Sequence, residues 1–135
     1  MRWQKSLLSM IQKQADKNIA LAIDTSTNET NQKLINSIIT LFKEVNPDTT
    51  LVQSDFKIRD ISSIQKTKIQ FFTHGKSSYT EVLEWGKEEK IDTLFYITDV
   101  TGYFYEDLQV DYEVIWLVPN DFIPKVPFGK TLKIA

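Results

Sequence analysis

One apolar run that ends in a carboxylate constrains the fold of this chain more than any other segment. Residues 19–23 read Ile-Ala-Leu-Ala-Ile, and residues 24–28 continue as Asp-Thr-Ser-Thr-Asn. An apolar run of this length is typical of a strand that is buried on both faces, as in parallel sheets. The carboxylate at its end is then expected at the carboxyl edge of the sheet, where open α/β folds place their binding sites.

The rest of the chain alternates between strand-like and helix-like segments. Residues 94–99 form a second apolar run that closes in Thr-Asp, and residues 56–64 alternate between apolar and polar residues, which favours a half-exposed antiparallel strand. We predict strands over 18–24, 49–54, 56–64, 92–98, 112–118 and 131–134, and helices over 3–15, 30–45 and 79–89. Residues 68–72 are either a further strand or the end of the hairpin that begins with 56–64. This alternation predicts an α/β fold with a mainly parallel central sheet, one antiparallel edge strand and helices on both faces.

Composition narrows the classes of function. A chain of 135 residues corresponds to one domain, and 16 basic against 18 acidic residues give a net charge of −2, which argues against a nucleic-acid binder. The chain contains no cysteine, which excludes disulfides and thiolate chemistry. It has neither the roughly 18 apolar residues of a membrane span nor the pattern of a signal peptide. We therefore expect a cytoplasmic protein without nucleic-acid or membrane partners.

Polar side chains follow the strands at the predicted carboxyl edge. Asp24, Ser26 and Asn28 are spaced two apart after the first strand, Ser77 lies in the loop before the last helix, and Asp99 ends the second apolar run. Carboxylate, hydroxyl and amide oxygens are hard ligands that suit Mg²⁺ or a similar cation. These residues therefore predict a divalent-cation site. Alternatively, Asp24 caps the N-terminus of the following helix.

These motifs, in this order, resemble a known family. Residues 24–28 stand as Asp-x-Ser-x-Asn, residues 75–79 as Gly-Lys-Ser-Ser-Tyr and residues 98–100 as Thr-Asp-Val. The pattern is similar to a von Willebrand factor A-like (VWA-like) domain, in particular the C-terminal domain of bacterial predicted metal-dependent peptidases. The resemblance implies a three-layer Rossmann-like VWA fold over 18–135, preceded by an amphipathic helix over 1–17. It also implies a metal-ion-dependent adhesion site whose Mg²⁺ ligands are Asp24, Ser26, Asn28, Ser77 and Asp99.

The resemblance implies a non-enzymatic protein-interaction module, in which the cation binds a carboxylate of a partner. The implied partner is a MoxR-type AAA+ ATPase or a metallopeptidase-like domain. Four positions depart from the family pattern: Asn28 replaces Ser, Ser77 replaces Thr, Ser78 replaces Asp and Val100 replaces Gly. We therefore expect a degenerate site with weakened metal affinity. Zinc-peptidase chemistry is not expected, because the chain has a single histidine, His74, and no His-Glu-x-x-His motif.

Two other interpretations stay open from the sequence. In the first, the chain is a structural domain whose metal site has decayed, and it is a fragment of a larger metallopeptidase-like protein. In the second, it is a Mg²⁺-dependent phosphotransfer enzyme. Against the phosphotransfer enzyme, Ser26 stands where the phosphatase pattern requires a second Asp. Two further segments are candidates for partner contact: the aromatic cluster Tyr103, Phe104 and Tyr105, and the N-terminal helix, whose alternative is to pack on its own domain.

Overall fold

The computed structural model of the protein describes residues 2–14, 16–24, 32–54, 57–65, 79–98, 110–119, 126 and 128–134. In chain order the elements are α1 (Arg2–Lys13), β1 (Ile19–Asp24), α2 (Gln32–Val45), β2 (Thr50–Ser54), β3 (Ile58–Ser63), α3 (Thr80–Glu88), β4 (Thr93–Ile97), β5 (Glu113–Val118) and β6 (Lys130–Lys133). Among these described elements, no helix has the length and apolar character that a membrane crossing requires.

The strands form one sheet in the order β3-β2-β1-β4-β5-β6. Every neighbouring pair is parallel except β2 and β3, which run antiparallel at the edge of the sheet. The strand order reverses direction at β1, because the chain first builds outward to β3 and then returns to place β4 on the other side. In open α/β sheets, ligands bind outside the carboxyl ends of the strands at such a switch point. The topology therefore directs attention to the ends of β1 and β4.

Strand β1 contributes side chains to both hydrophobic cores, one on each face of the sheet. All six of its residues are buried, and successive side chains point to opposite faces of the sheet. Ile19, Leu21 and Ile23 belong to a core that includes the buried side chains of α1 and α2. Ala20 and Ala22 belong to a second core with α3. The continuous apolar run is thus required because helices cover both faces of this strand.

Helix α1 packs on the same face of the sheet as α2. Trp3, Leu7 and Ile11 recur every four residues and are buried, the last two completely. Just past the end of the helix, the Thr93 hydroxyl of β4 donates a hydrogen bond to Gln14 Oε1 over 2.9 Å, and both side chains are buried. Apolar packing and one buried hydrogen bond therefore fix α1 to the sheet.

The observed architecture confirms the predicted α/β fold class. Each described strand and helix lies within two residues of its predicted bounds. The edge strand β3 is antiparallel and half-exposed, as the alternation in residues 56–64 predicts, and its Ile61 is 44% exposed. Residues 68–72, predicted as a further strand or the end of a hairpin, lie outside the described residues.

A close approach between Gly86 of α3 and Tyr112 helps to hold α3 against the sheet. The Tyr112 hydroxyl donates a hydrogen bond to the Leu83 carbonyl within the helix. A Cβ atom at position 86 would lie 2.7 Å from the Tyr112 hydroxyl oxygen and 2.9 Å from Cζ. Only glycine leaves room for the tyrosine ring to cross the helix at this point.

We expect Gly86→Ala to destabilise the protein by about 1–3 kcal/mol, because the new methyl group displaces Tyr112 from its hydrogen bond. Without this contact, the same change in a helix would stabilise the protein by about 0.5–1 kcal/mol. Urea denaturation measures the free energy of unfolding. The matched control is Gly86→Ala in a Tyr112→Ala background, where the loss should vanish; a loss of equal size there would contradict the explanation.

Candidate functional site

Three oxygen-bearing side chains lie at the carboxyl ends of three adjacent strands. Asp24 is the last residue of β1, and Ser54, the last residue of β2, is its partner in the parallel register. Thr98 directly follows β4, one residue beyond the pair formed by Ile23 and Ile97. The switch point of the sheet therefore carries a carboxylate flanked by two hydroxyls.

The Asp24 carboxylate is held in place by a chain of buried hydroxyls. Asp24 is 1% exposed, and the Thr98 hydroxyl donates a hydrogen bond to its Oδ2 over 2.7 Å. The Tyr79 hydroxyl lies 2.9 Å from the Thr98 oxygen. Because the Thr98 hydrogen is already directed at the carboxylate, Tyr79 is the donor in this second bond. The resulting order, from Tyr79 to Thr98 to Asp24, ends on a charged acceptor, which makes the last bond a strong one.

Tyr79 connects these hydrogen-bonded hydroxyls to a buried aromatic cluster. Its ring is perpendicular to that of Tyr96, with centroids 5.4 Å apart, and lies 5.6 Å from the ring of Trp116. Tyr96 and Trp116 are stacked at 5.4 Å. All three side chains are fully buried. Thr98, which holds the Asp24 carboxylate, is thus bonded to a member of a fully buried aromatic cluster, where electrostatic interactions are stronger than in solvent.

Tyr96 differs from Tyr79 in that its buried hydroxyl forms no hydrogen bond. Burial raises the pKa of the Tyr96 phenol well above its usual value, and the negative charge of Asp24 raises that pKa further. The neighbouring Ser54 hydroxyl lowers it in part, although its own hydrogen bond is donated to the Lys57 carbonyl over 3.1 Å. The negative charge of Asp24 at the sheet edge thus also affects the pKa of a tyrosine inside the core.

The described part of the site offers only oxygen ligands. A carboxylate with neighbouring hydroxyls suits hard cations such as Mg²⁺, which prefer oxygen. Among the described residues, no group of three or more His, Cys, Asp or Glu side chains lies together. The donor chemistry of Asp24 and its neighbours fits the implied divalent cation, with Asp24 as the one carboxylate that the described residues contribute.

The structure describes one of the five predicted metal ligands. Asp24 lies at the carboxyl end of β1, at the switch point. The other predicted ligands and the predicted aromatic contact cluster lie outside the described residues: Ser26, Asn28, Ser77, Asp99, Tyr103, Phe104 and Tyr105.

The sequence pattern places Thr98 at the site through the Thr-Asp-Val motif, but it does not assign Tyr79, Tyr96 or Ser54 to the surroundings of Asp24. Tyr96 and Thr98 lie two apart on one strand and its extension, so period-two alternation places them on one face and was a usable signal. Tyr79 precedes α3, and its bond to Thr98 depends on how that helix crosses the sheet. Ser54 could be inferred only from the pairing of β2 with β1.

Removal of the hydroxyl group should affect the stability of the protein differently at the two buried tyrosines, Tyr79 and Tyr96. Tyr79→Phe removes the donor to Thr98 and should destabilise the protein by about 1 kcal/mol. Tyr96→Phe removes a buried hydroxyl that has no hydrogen bond, so it should be neutral or stabilising by up to about 1 kcal/mol. Each variant serves as the matched control of the other in urea denaturation, and equal losses would show that the Tyr79–Thr98 bond contributes nothing specific.

The raised pKa of Tyr96 predicts a loss of stability at alkaline pH. Above about pH 10 the unfolded chain releases the phenol proton while the folded protein retains it, so the free energy of unfolding falls as pH rises. Burial and the negative charge of Asp111 also raise the pKa of Tyr112. This second tyrosine lowers the stability at alkaline pH equally in the wild type and in Tyr96→Phe. Urea denaturation between roughly pH 8 and 11, the range around the ordinary pKa of tyrosine, should show that the free energy of unfolding falls less steeply with pH for Tyr96→Phe than for the wild type. Parallel curves for the two proteins would refute this assignment.

Comparison with protein-family models matches residues 19–135 to a VWA-like domain (DUF2201). Neither the search of curated proteins nor the search of solved structures gives a match. The matched span begins at the first residue of β1 and includes every described element except α1. The strand order, the antiparallel edge and the carboxylate at the switch point agree with this match, and the chain belongs to the VWA-like domain family (DUF2201).

Proposed function

We propose that this VWA-like domain is a cytoplasmic, non-enzymatic protein-interaction module with a divalent-cation site at the carboxyl ends of β1 and β4. One observation carries the proposal. Asp24 is the last residue of β1, at the switch point, and its buried carboxylate accepts a hydrogen bond from the Thr98 hydroxyl over 2.7 Å. Open α/β sheets bind their ligands at this position. The cation would be Mg²⁺ or a similar hard ion, since the donors are oxygens.

The role of Thr98 is to orient the carboxylate rather than to react. A side chain that holds a metal must be fixed by further hydrogen bonds, because a mobile carboxylate costs affinity. Thr98 supplies such a bond, and Tyr79 fixes Thr98 in turn. Thr98 and Tyr79 are both fully buried, so a role in positioning Asp24 suits them better than contact with a partner.

The proposed ligand set combines Asp24 with the residues at the other adhesion-site positions: Ser26, Asn28, Ser77 and Asp99. When bound, the cation would supply a positive charge that attracts a carboxylate of the partner and completes its coordination with it. The family resemblance supports a MoxR-type AAA+ ATPase or a metallopeptidase-like domain as the partner. The departures at Asn28 and Ser77 support weaker metal affinity than in the family pattern.

A second interpretation is a structural domain with a decayed site. It is favoured by the same hydroxyl chain, because a buried carboxylate that accepts the Thr98 hydroxyl also ties β1 to β4 and α3. In that case Asp24 is retained for folding, and added metal has no effect on stability.

Thermal unfolding with EDTA and with millimolar Mg²⁺ or Mn²⁺ separates the two interpretations. A ligand that binds only the folded state raises stability by about 2.7 kcal/mol at 100 times its dissociation constant. We expect a metal-dependent rise in Tm for the wild type and none for Asp24→Asn, which preserves the shape of the side chain. The control is Asp48→Ala, an exposed acid in the turn before β2, which should respond to metal as the wild type does.

Partner binding then tests the interaction itself. A MoxR-type ATPase or a metallopeptidase-like domain, purified and titrated against the protein, should bind in Mg²⁺ or Mn²⁺ and dissociate in EDTA. Asp24→Asn should abolish the binding and Asp48→Ala should not. An unchanged Tm of the wild type in metal would reject the cation site and leave the decayed structural domain.

A further inference from the structure

A groove of about 250 Å³ lies between α1 and α2, on the face of the sheet opposite α3. Its walls come from both helices: Trp3, Gln4, Lys5 and Leu8 of α1, and Ser37 and Leu41 of α2. Helix α1 precedes the residues that match the VWA-like domain, whereas α2 lies within them. The groove is therefore a composite surface formed where α1 packs on the domain.

The lining of the groove suits an apolar side chain. Leu8 and Leu41 are half-buried, and Leu8 is not among the described side chains that pack against the core. The Ser37 hydroxyl donates a hydrogen bond to the Lys33 carbonyl over 3.0 Å, so this polar group is already satisfied within α2. The volume is below the roughly 300–1,000 Å³ of small-molecule pockets, which favours an apolar anchor from a macromolecule.

The charge around the groove specifies the kind of partner. Helix α1 contains three basic residues and no acidic one, and α2 contains Lys33, Lys43 and Glu44. The two helices thus carry five basic residues and one acidic residue, a net charge of +4, in a chain whose net charge is −2. Lys5 lines the groove; on α2, Lys33 lies one helical turn before Ser37, and Glu44 lies about one turn after Leu41. An apolar groove on two helices of net positive charge is complementary to an acidic, amphipathic partner.

We propose that the groove between α1 and α2 binds an acidic amphipathic helix of another protein. An apolar side chain of that helix enters between Leu8 and Leu41, and its carboxylates face Lys5 and Lys33. This is the helix-in-groove mode of recognition, in which apolar anchors provide affinity and flanking charges provide specificity. The surface is independent of the cation site, because Asp24 belongs to the face of β1 that packs towards α3.

Two synthetic helical peptides test the proposal. Both carry leucines along one face; the first has glutamates on the other face, and the second has a lysine in place of each glutamate. We expect the acidic peptide to bind the full chain at least about tenfold more tightly than its basic twin, as measured by fluorescence anisotropy of labelled peptide. Binding of the acidic peptide should weaken as salt is added, because Lys5 and Lys33 are exposed.

Variants of the groove locate the binding. Leu8→Glu and Lys5→Glu should each weaken the acidic peptide by about tenfold or more. Two matched controls leave the groove intact: Ile61→Glu on the exposed edge strand and Lys87→Glu on α3. Asp24→Asn should also bind the peptide as the wild type does, which separates this groove from the proposed cation site. Circular dichroism and Tm confirm that each variant is folded; Lys5 is exposed, so Lys5→Glu keeps the test decisive if Leu8→Glu unfolds.

Several results would overturn the proposal. Equal binding of the two peptides, or binding that neither groove variant weakens, would show that the groove does not select an acidic helix. Binding to vesicles with anionic lipid, lost in Lys5→Glu, with no preference between the peptides would identify a membrane surface instead. Self-association in analytical ultracentrifugation that Leu8→Glu abolishes would show that a second copy of the chain covers the groove.

Discussion

Complete burial of β1 between two helical layers is the constraint on which the rest of the structure depends. Its odd and even residues belong to two different cores, so a shift of one residue in its register would exchange both sets at once. The strand accepts no polar side chain until Asp24, where the sheet ends. This fully buried strand therefore carries its one charged side chain at its end, where the sheet stops.

The hydroxyl chain makes that charge compatible with the core below it. The buried Asp24 carboxylate near Tyr96 would be costly without hydrogen bonds, because it loses the solvation of water. Thr98 supplies one such bond, and Tyr79 links it to the start of α3. Burial raises the pKa of Tyr96, and the negative charge of Asp24 raises it further because it disfavours a second negative charge nearby. The site and the packing of α3 are thus parts of one network.

The fold could be predicted from the sequence because periodicity reports burial directly. The apolar run of β1 and the helical spacing in α2 each identify an element and the side chains that it buries. The mixed apolar and polar residues of β3 identify a half-exposed edge strand, but not a buried face, since Ile61 is exposed. Asp24 could be placed at the sheet edge for the same reason. The Tyr79–Thr98 bond could not, because it joins residues 19 apart whose distance depends on the path of α3 across the sheet. Local patterns predict elements, whereas contacts between elements depend on packing.

The two proposed surfaces use opposite faces of the same central strand. Asp24 belongs to the face with Ala20 and Ala22, towards α3, and the groove is formed by helices that pack on Ile19, Leu21 and Ile23. The groove residues Lys5 and Leu8 lie on the outer side of α1, away from the buried stripe through Leu7 and Ile11. A substitution at either surface therefore leaves the core contacts of the other unchanged. Effects of such distant sites on stability are expected to add. A metal effect on peptide binding in the wild type would then require that β1 and α2 move together, since no described side chain belongs to both surfaces.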